Sequence, residues 1–121
     1  MTAPNLFITY VRDAAAAATF YADLFEIEPL FTSPRYIVFP AGSGAQFAVW
    51  AGSPDVAVPA TPRTSEMCLM VDGGAAETDA LFARWTAKGV TVVEEPHEAP
   101  FGHTFVIADP DGNLVRVAPV D

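Results

Sequence analysis

Basic residues are scarce in this chain. Six Lys and Arg stand against fifteen Asp and Glu in 121 residues, for a formal charge of -9. A nucleic-acid interface needs a basic stripe, and Arg12, Arg35, Arg63, Arg84, Lys88 and Arg116 are scattered. Cysteine is scarcer still: Cys68 stands alone, which excludes an internal disulfide and a cysteine-cluster zinc site. Cys68 lies in an apolar run and reads first as a small buried hydrophobe. No apolar run approaches the roughly 20 residues of a membrane span. Residues 1–12 lack the basic start and apolar stretch of a secretory leader. The expectation is a cytoplasmic protein with neither a nucleic-acid nor a membrane partner. Also missing are a Gly-rich phosphate loop, a nucleophile elbow and a Ser-His-Asp pattern.

Apolar residues make up 51% of the chain and charged ones 17%, a composition able to bury a sizeable core. The length suits a single domain, or two half-domains sharing a core. Leu6–Val11 is β-branched and aromatic and predicts a strand. Asp13 is a candidate N-cap for an alanine-rich helix over Ala14–Phe25, with Ala17, Phe20, Tyr21, Leu24 and Phe25 on one stripe. Pro29 bars further helix. Tyr36–Phe39 and Gln46–Trp50 predict a hairpin around the Ala41–Gly44 turn.

The Pro-rich stretch 52–64 is the linker candidate, and after it the pattern restarts. Glu66–Val71 predicts a strand, and Ala75–Lys88 a helix with Leu81, Phe82 and Trp85 on one stripe and Gly89 at C′. Val90–Glu94, Thr104–Ala108 and Leu114–Val117 predict three more strands, the last two joined by the DPDG turn at Asp109–Gly112.

Sliding the chain on itself lays Phe7, Thr9 and Val11 on Met67, Leu69 and Val71, and helix on helix. The organisation expected is therefore a first module over 1–51, a linker over 52–64 and a second module over 65–121. Each module reads strand, helix, then two or three strands. Two copies, neither closing its own core, pair into a curved α+β sheet with helices outside and a cup inside. Strand alternation gives the cup Leu6, Ile8, Tyr10, Gln46, Ala48, Trp50, Glu66, Cys68, Met70, Leu114 and Arg116. That is an apolar wall with two opposite charges, the composition of a ligand pocket. The same residues admit a plainer reading: Glu66 and Arg116 as an ion pair closing the sheet, and Trp50 as a core or contact aromatic. Tyr36 sits in a short strand that can face either way.

The segments YVRD, FYADLF and DPDGNLVRV resemble the glyoxalase/bleomycin-resistance/dioxygenase (vicinal oxygen chelate) superfamily. The resemblance implies two βαβββ modules forming a curved mixed-sheet cup. A more specific likeness runs through Pro4-Asn5-Leu6, Pro34-Arg35-Tyr36, Phe39-Pro40, Phe47-Ala48-x-Trp50, Ser65-Glu66, Phe101-Gly102-x-Thr104-Phe105, Asp109–Gly112 and Val115-Arg116-Val117. These segments resemble the phenazine-antibiotic resistance proteins of that superfamily. The likeness implies non-catalytic sequestration of a planar aromatic drug by a homodimer, its modules exchanged or not. It makes Trp50 a stacking wall, opposed by Phe101, Phe39 or Ile8. Arg116 is expected to pair a ligand carboxylate, with Glu66 orienting it or accepting a ligand hydrogen bond, and Tyr36, Cys68 and His103 complete the expected lining. His103, in FGHTF, would stand at the mouth of the second hairpin; His97 reads as a loop histidine.

The alternative within the superfamily is a metal-dependent glyoxalase or dioxygenase. Its ligand positions here correspond to Leu6, Glu66, Arg116 and a residue near Ala48. A divalent ion needs several converging N or O donors, and only Glu66 qualifies. The expectation is thus no bound metal, no cofactor and no catalytic residue. A third reading is a partner domain whose cup is only a core.

Overall fold

The computed structural model describes residues 2–52 and 62–120. Two compact units divide the chain, residues 1–61 and 62–121. Residues 53–61 of the expected linker lie outside the described residues.

The first unit holds β1 (Leu6–Tyr10), α1 (Ala14–Phe25), β2 (Phe31–Thr32), β3 (Tyr36–Pro40) and β4 (Gln46–Trp50). Its four strands form one sheet in the order β1-β4-β3-β2, with β1 parallel to β4 and the other pairs antiparallel. Asp13 starts α1 because its carboxylate accepts the Ala16 N–H at 3.1 Å, satisfying one of the orphan donors of a helix start. Glu26, in the left-handed region, ends it. The helix then packs Ala14, Ala17, Ala18, Tyr21 and Leu24 inward. Tyr21 and Phe25 meet Phe47 of β4 edge to face at 5.6 and 5.9 Å. Phe39, paired with Phe47 in register, stacks on it at 5.1 Å.

The second unit repeats the plan with β5 (Glu66–Val71), α2 (Gly74–Ala87), β6 (Thr91–Ala99), β7 (Gly102–Ala108) and β8 (Leu114–Pro119), in sheet order β5-β8-β7-β6. Trp85 and Phe82 of α2 meet Phe105 of β7 edge to face. Gly89, at φ +83, closes the helix, a conformation that favours glycine. The DPDG turn is held by the Asp109 carboxylate, which accepts the N–H groups of Asp111 and Asn113 at 2.8 Å. Arg63 ties the chain just before β5 to this turn, donating to Asn113 Oδ1 and the Asp111 carbonyl.

Two elements differ from the sequence expectation. β2 is a two-residue strand, too short to leave a periodic signal. β6 runs on past Glu94 and through Pro96 to Ala99. It does so because it is an edge strand, where a proline costs no ladder hydrogen bond, and because two register shifts absorb the irregularity, at Val92/Glu94 and Glu94/His97. Among the described residues no helix is long and apolar enough to cross a membrane.

Candidate functional site

Each sheet has one face against its helix and one face turned away, and the two helix-free faces differ in chemistry. In the first unit, register places Ile8 beside Ala48 and Val38, and Tyr10 beside Trp50 and Tyr36. Tyr10 and Trp50 lie 5.8 Å apart, and Tyr36 meets Phe31 at 6.3 Å. The result is a row of aromatic rings, Tyr10, Trp50, Tyr36 and Phe31, on a floor of Ile8, Val38 and Ala48. Trp50 remains 38% exposed and Tyr10, Phe31 and Ile8 more so. Tyr36 is half-buried and Gly52 lies against the Trp50 ring, so the rings offer stacking area on their exposed sides, at little conformational cost because rigid strands hold them.

In the second unit, register lines up Glu94, Val106, Arg116 and Cys68 across four strands. Arg116 is the hub. Its Nε donates to Glu66 Oε1, and Nη1 donates to Thr104 Oγ1 at 3.2 Å. Nη2 lies 3.8 Å from Glu94, and the guanidinium sits 5.2 Å from the centre of the Phe101 ring, within cation–π range. Thr104 is itself buried and donates to the Val117 carbonyl at 2.6 Å. The Glu66 hydrogen bond holds the Arg116 pKa above its ordinary value. Phe101 reaches Arg116 from the β6–β7 turn, where Gly102 takes φ +115 and a Cβ would lie 2.6 Å from Pro119.

Trp50, Tyr36 and Ile8 therefore share one face, and Glu66, Arg116, Phe101 and Cys68 share another. Three expected ligand residues stand elsewhere or differently. Phe39 is fully buried under α1 against Phe47, because its register partner is on the helix side. His103 also lies on the helix side: its Nε2 contacts Asp79 of α2 at 2.7 Å and its Nδ1 contacts Glu98 at 2.5 Å. Those contacts, the Asp79 hydrogen bond first and Glu98 second, raise its pKa above the ordinary 6.5. Cys68 is exposed rather than buried, since β5 is an edge strand. Residual desolvation and Glu66 still push its thiol pKa up, so it is a poor nucleophile.

Thr104, Glu94, Tyr10 and Phe31 join these faces without having been singled out as ligand residues. Tyr10 was legible from alternation. Glu94 was not, because its facing depends on the bulges of β6. The same bulges turn His97, rather than His103, toward Glu94, at 3.4 Å.

The donor set does not suit a divalent ion. Of Leu6, Ala48, Glu66 and Arg116, only Glu66 offers an oxygen, and Arg116 already occupies it. Among the described residues no group of three His, Cys, Asp or Glu side chains can hold a metal.

Residues 4–117 match the Glyoxalase/Bleomycin resistance protein/Dioxygenase superfamily. The chain belongs to this superfamily. It is 40% identical to the phenazine antibiotic resistance protein EhpR of Enterobacter agglomerans, over 98% of this chain and 92% of that protein. Among solved structures it is similar to protein ATC0852 of Agrobacterium tumefaciens, with 30% identity, 100% and 99% of the two chains covered and a TM-score of 0.80. It also resembles TnmS3, an antibiotic binding protein of Streptomyces sp. CB03234, with 25% identity, 100% and 98% covered and a TM-score of 0.74. The glyoxalase-type α+β fold read from the sequence is thus the fold of this superfamily member.

Proposed function

We propose that this protein confers antibiotic resistance by binding a planar aromatic compound of the phenazine type and sequestering it without chemical change. The observation that carries this reading is the aromatic row of the first unit, with Tyr10, Trp50 and Phe31 exposed and Tyr36 half-buried beside them. The names of two relatives, a phenazine antibiotic resistance protein and an antibiotic binding protein, support it. A flat ring system stacking on Trp50 gains about 0.5–1.5 kcal/mol beyond its area. Burial of roughly 200 Å2 of apolar surface at about 25 cal/mol per Å2 adds about 5 kcal/mol. Capture then needs no acid, base or metal.

Binding takes place in a homodimer in this reading. β1 is the end strand of its sheet and carries exposed apolar residues on both faces, Phe7 at 55% and Ile8 at 45%. β5, an end strand of the second unit's sheet, leaves Met70 exposed. An open apolar edge of this kind is a pairing surface, and a second copy is the occupant proposed for it.

Equilibrium dialysis against a phenazine carboxylate, followed by recovery and mass spectrometry of the ligand, tests the central reading. Saturable uptake with the ligand returned intact is expected, and sedimentation velocity on the same sample should give twice the chain mass. A recovered ligand that has been altered, with alteration abolished by EDTA, would point instead to a metal-dependent enzyme of the superfamily.

A further inference from the structure

We infer that Gly52 is a positioning residue for aromatic capture: having no side chain, it lets the backbone leaving β4 seat the Trp50 indole and so sets the stacking surface offered to a flat ligand. This rests on the binding reading above and deepens it. A Cβ on Gly52 would lie 1.9 Å from Trp50 Cε2 and 2.1 Å from both Cζ2 and Nε1, its three nearest atoms. Carbon atoms not bonded to one another rest about 3.5–4.0 Å apart, so alanine at this position and the present indole placement exclude each other. The φ of Gly52 lies outside the left-handed region. The demand for glycine therefore comes from the ring and not from the backbone conformation.

The backbone that brings Gly52 to the ring is pinned. The Trp50 carbonyl accepts the Val11 N–H at 3.1 Å, and the Ala51 N–H donates to the Arg35 carbonyl at 2.9 Å. Arg35 then turns its side chain onto the same residue, Nε donating to the Ala51 carbonyl at 3.1 Å. Both polar groups of Ala51 are thus held by Arg35, and the peptide leading into Gly52 starts from a fixed orientation. The indole is the partner that can yield. It hangs on two side-chain torsions and is 38% exposed. Pushed aside, it loses its present relation to Tyr10, 5.8 Å away at a tilt of 43°, while the strand beneath it stays paired with β1 and β3. A methyl group at residue 52 should therefore disturb the stacking surface and spare the sheet.

The experiment is a double-mutant cycle on the full chain: the unsubstituted protein, Gly52→Ala, Trp50→Ala and the double variant, each dialysed to equilibrium against phenazine and each unfolded in urea. Gly52→Ala should weaken phenazine uptake about fivefold, as loss of stacking allows, and shift the tryptophan emission to the red as the indole moves into water. In the Trp50→Ala background the same substitution should cost no further affinity, because the group it displaces is gone. Should Gly52→Ala lower the urea midpoint, removing the indole in the double variant should bring the midpoint back to that of Trp50→Ala. A midpoint that stays lower there, or an affinity loss that adds in full to that of Trp50→Ala, overturns the inference, since Gly52 would then act through the backbone. Uptake and emission unchanged in Gly52→Ala overturn it as well and leave the binding reading standing. If the unsubstituted protein takes up no phenazine, both fall together.

Discussion

The two units share one plan and differ in what they show to solvent. In each, a parallel end strand, a covering helix and an antiparallel hairpin build a sheet with one helix-covered face. The helix-covered faces are close equivalents: Tyr21, Phe39 and Phe47 in the first, Trp85, Phe82 and Phe105 in the second. The helix-free faces have diverged. One is a row of aromatic rings, and the other is a guanidinium bound by two carboxylates, a threonine and a phenylalanine. A duplicated core under the two helices constrains packing, whereas the opposite faces are free to take different chemistry. That division is why the core reads as a repeat and the candidate site does not.

The two helix-covered cores should respond alike to truncation. Phe39→Ala in the first unit and Phe105→Ala in the second should each cost about 3–5 kcal/mol of stability, measured by urea denaturation. A mild effect of Phe39→Ala together with weakened ligand binding would return Phe39 to the ligand wall. Next in size, Trp50→Ala should weaken phenazine binding about tenfold, since it removes both stacking and area, while shifting the denaturation midpoint little. Arg116→Met should cost about 1–2 kcal/mol of stability, the lower part of the range for a hydrogen bond to a charged group because Glu66 is partly exposed, by removing the partner of Glu66. No change in the urea midpoint would mean that the ion pair contributes nothing to the second sheet.

The two helix starts differ as well. α1 has a side-chain cap and α2, beginning after Gly73, has none. Asp13→Ala should cost about 1 kcal/mol, read from the same denaturation curves.

A weaker, pH-dependent contribution is expected from His103 in the second unit. The His103 pKa is raised in the fold, chiefly by Asp79 and then by Glu98. Both ring nitrogens face carboxylates, and only the imidazolium donates from both. The stabilisation is therefore complete below the unfolded value near 6.5 and is lost as pH rises through the higher folded value. The Tm difference between the protein and His103→Gln should shrink as pH is raised from about 5.5 to about 9. A difference that is constant across that range would contradict the double contact.

Much of the fold was legible because local signals agreed with one another. The alanine run after Asp13 fixed α1 to the residue, and Gly89 marked the end of α2. The AGSG and DPDG turns set both hairpins. The candidate site was less legible because it depends on register. Phe39 pairs with Phe47, and that single pairing moves it beneath the helix. β6 carries Pro96 and two bulges, so alternation cannot be extended along it, and the facings of Glu94, His97 and Glu98 follow the bulges rather than the sequence. The exposure of Cys68 reflects its place at a sheet edge, which an apolar run such as MCLMV does not reveal.

Metal-independent aromatic capture at Trp50 has a built-in control in the same chain, since the other tryptophan, Trp85, is 2% exposed beneath Phe105. The most direct measurement is quenching of tryptophan fluorescence by phenazine, with and without EDTA, in the protein and in Trp50→Ala. Saturable quenching that ignores EDTA and disappears in the variant, leaving the Trp85 emission, is expected. Quenching that persists in Trp50→Ala, or that requires a metal EDTA removes, would contradict it.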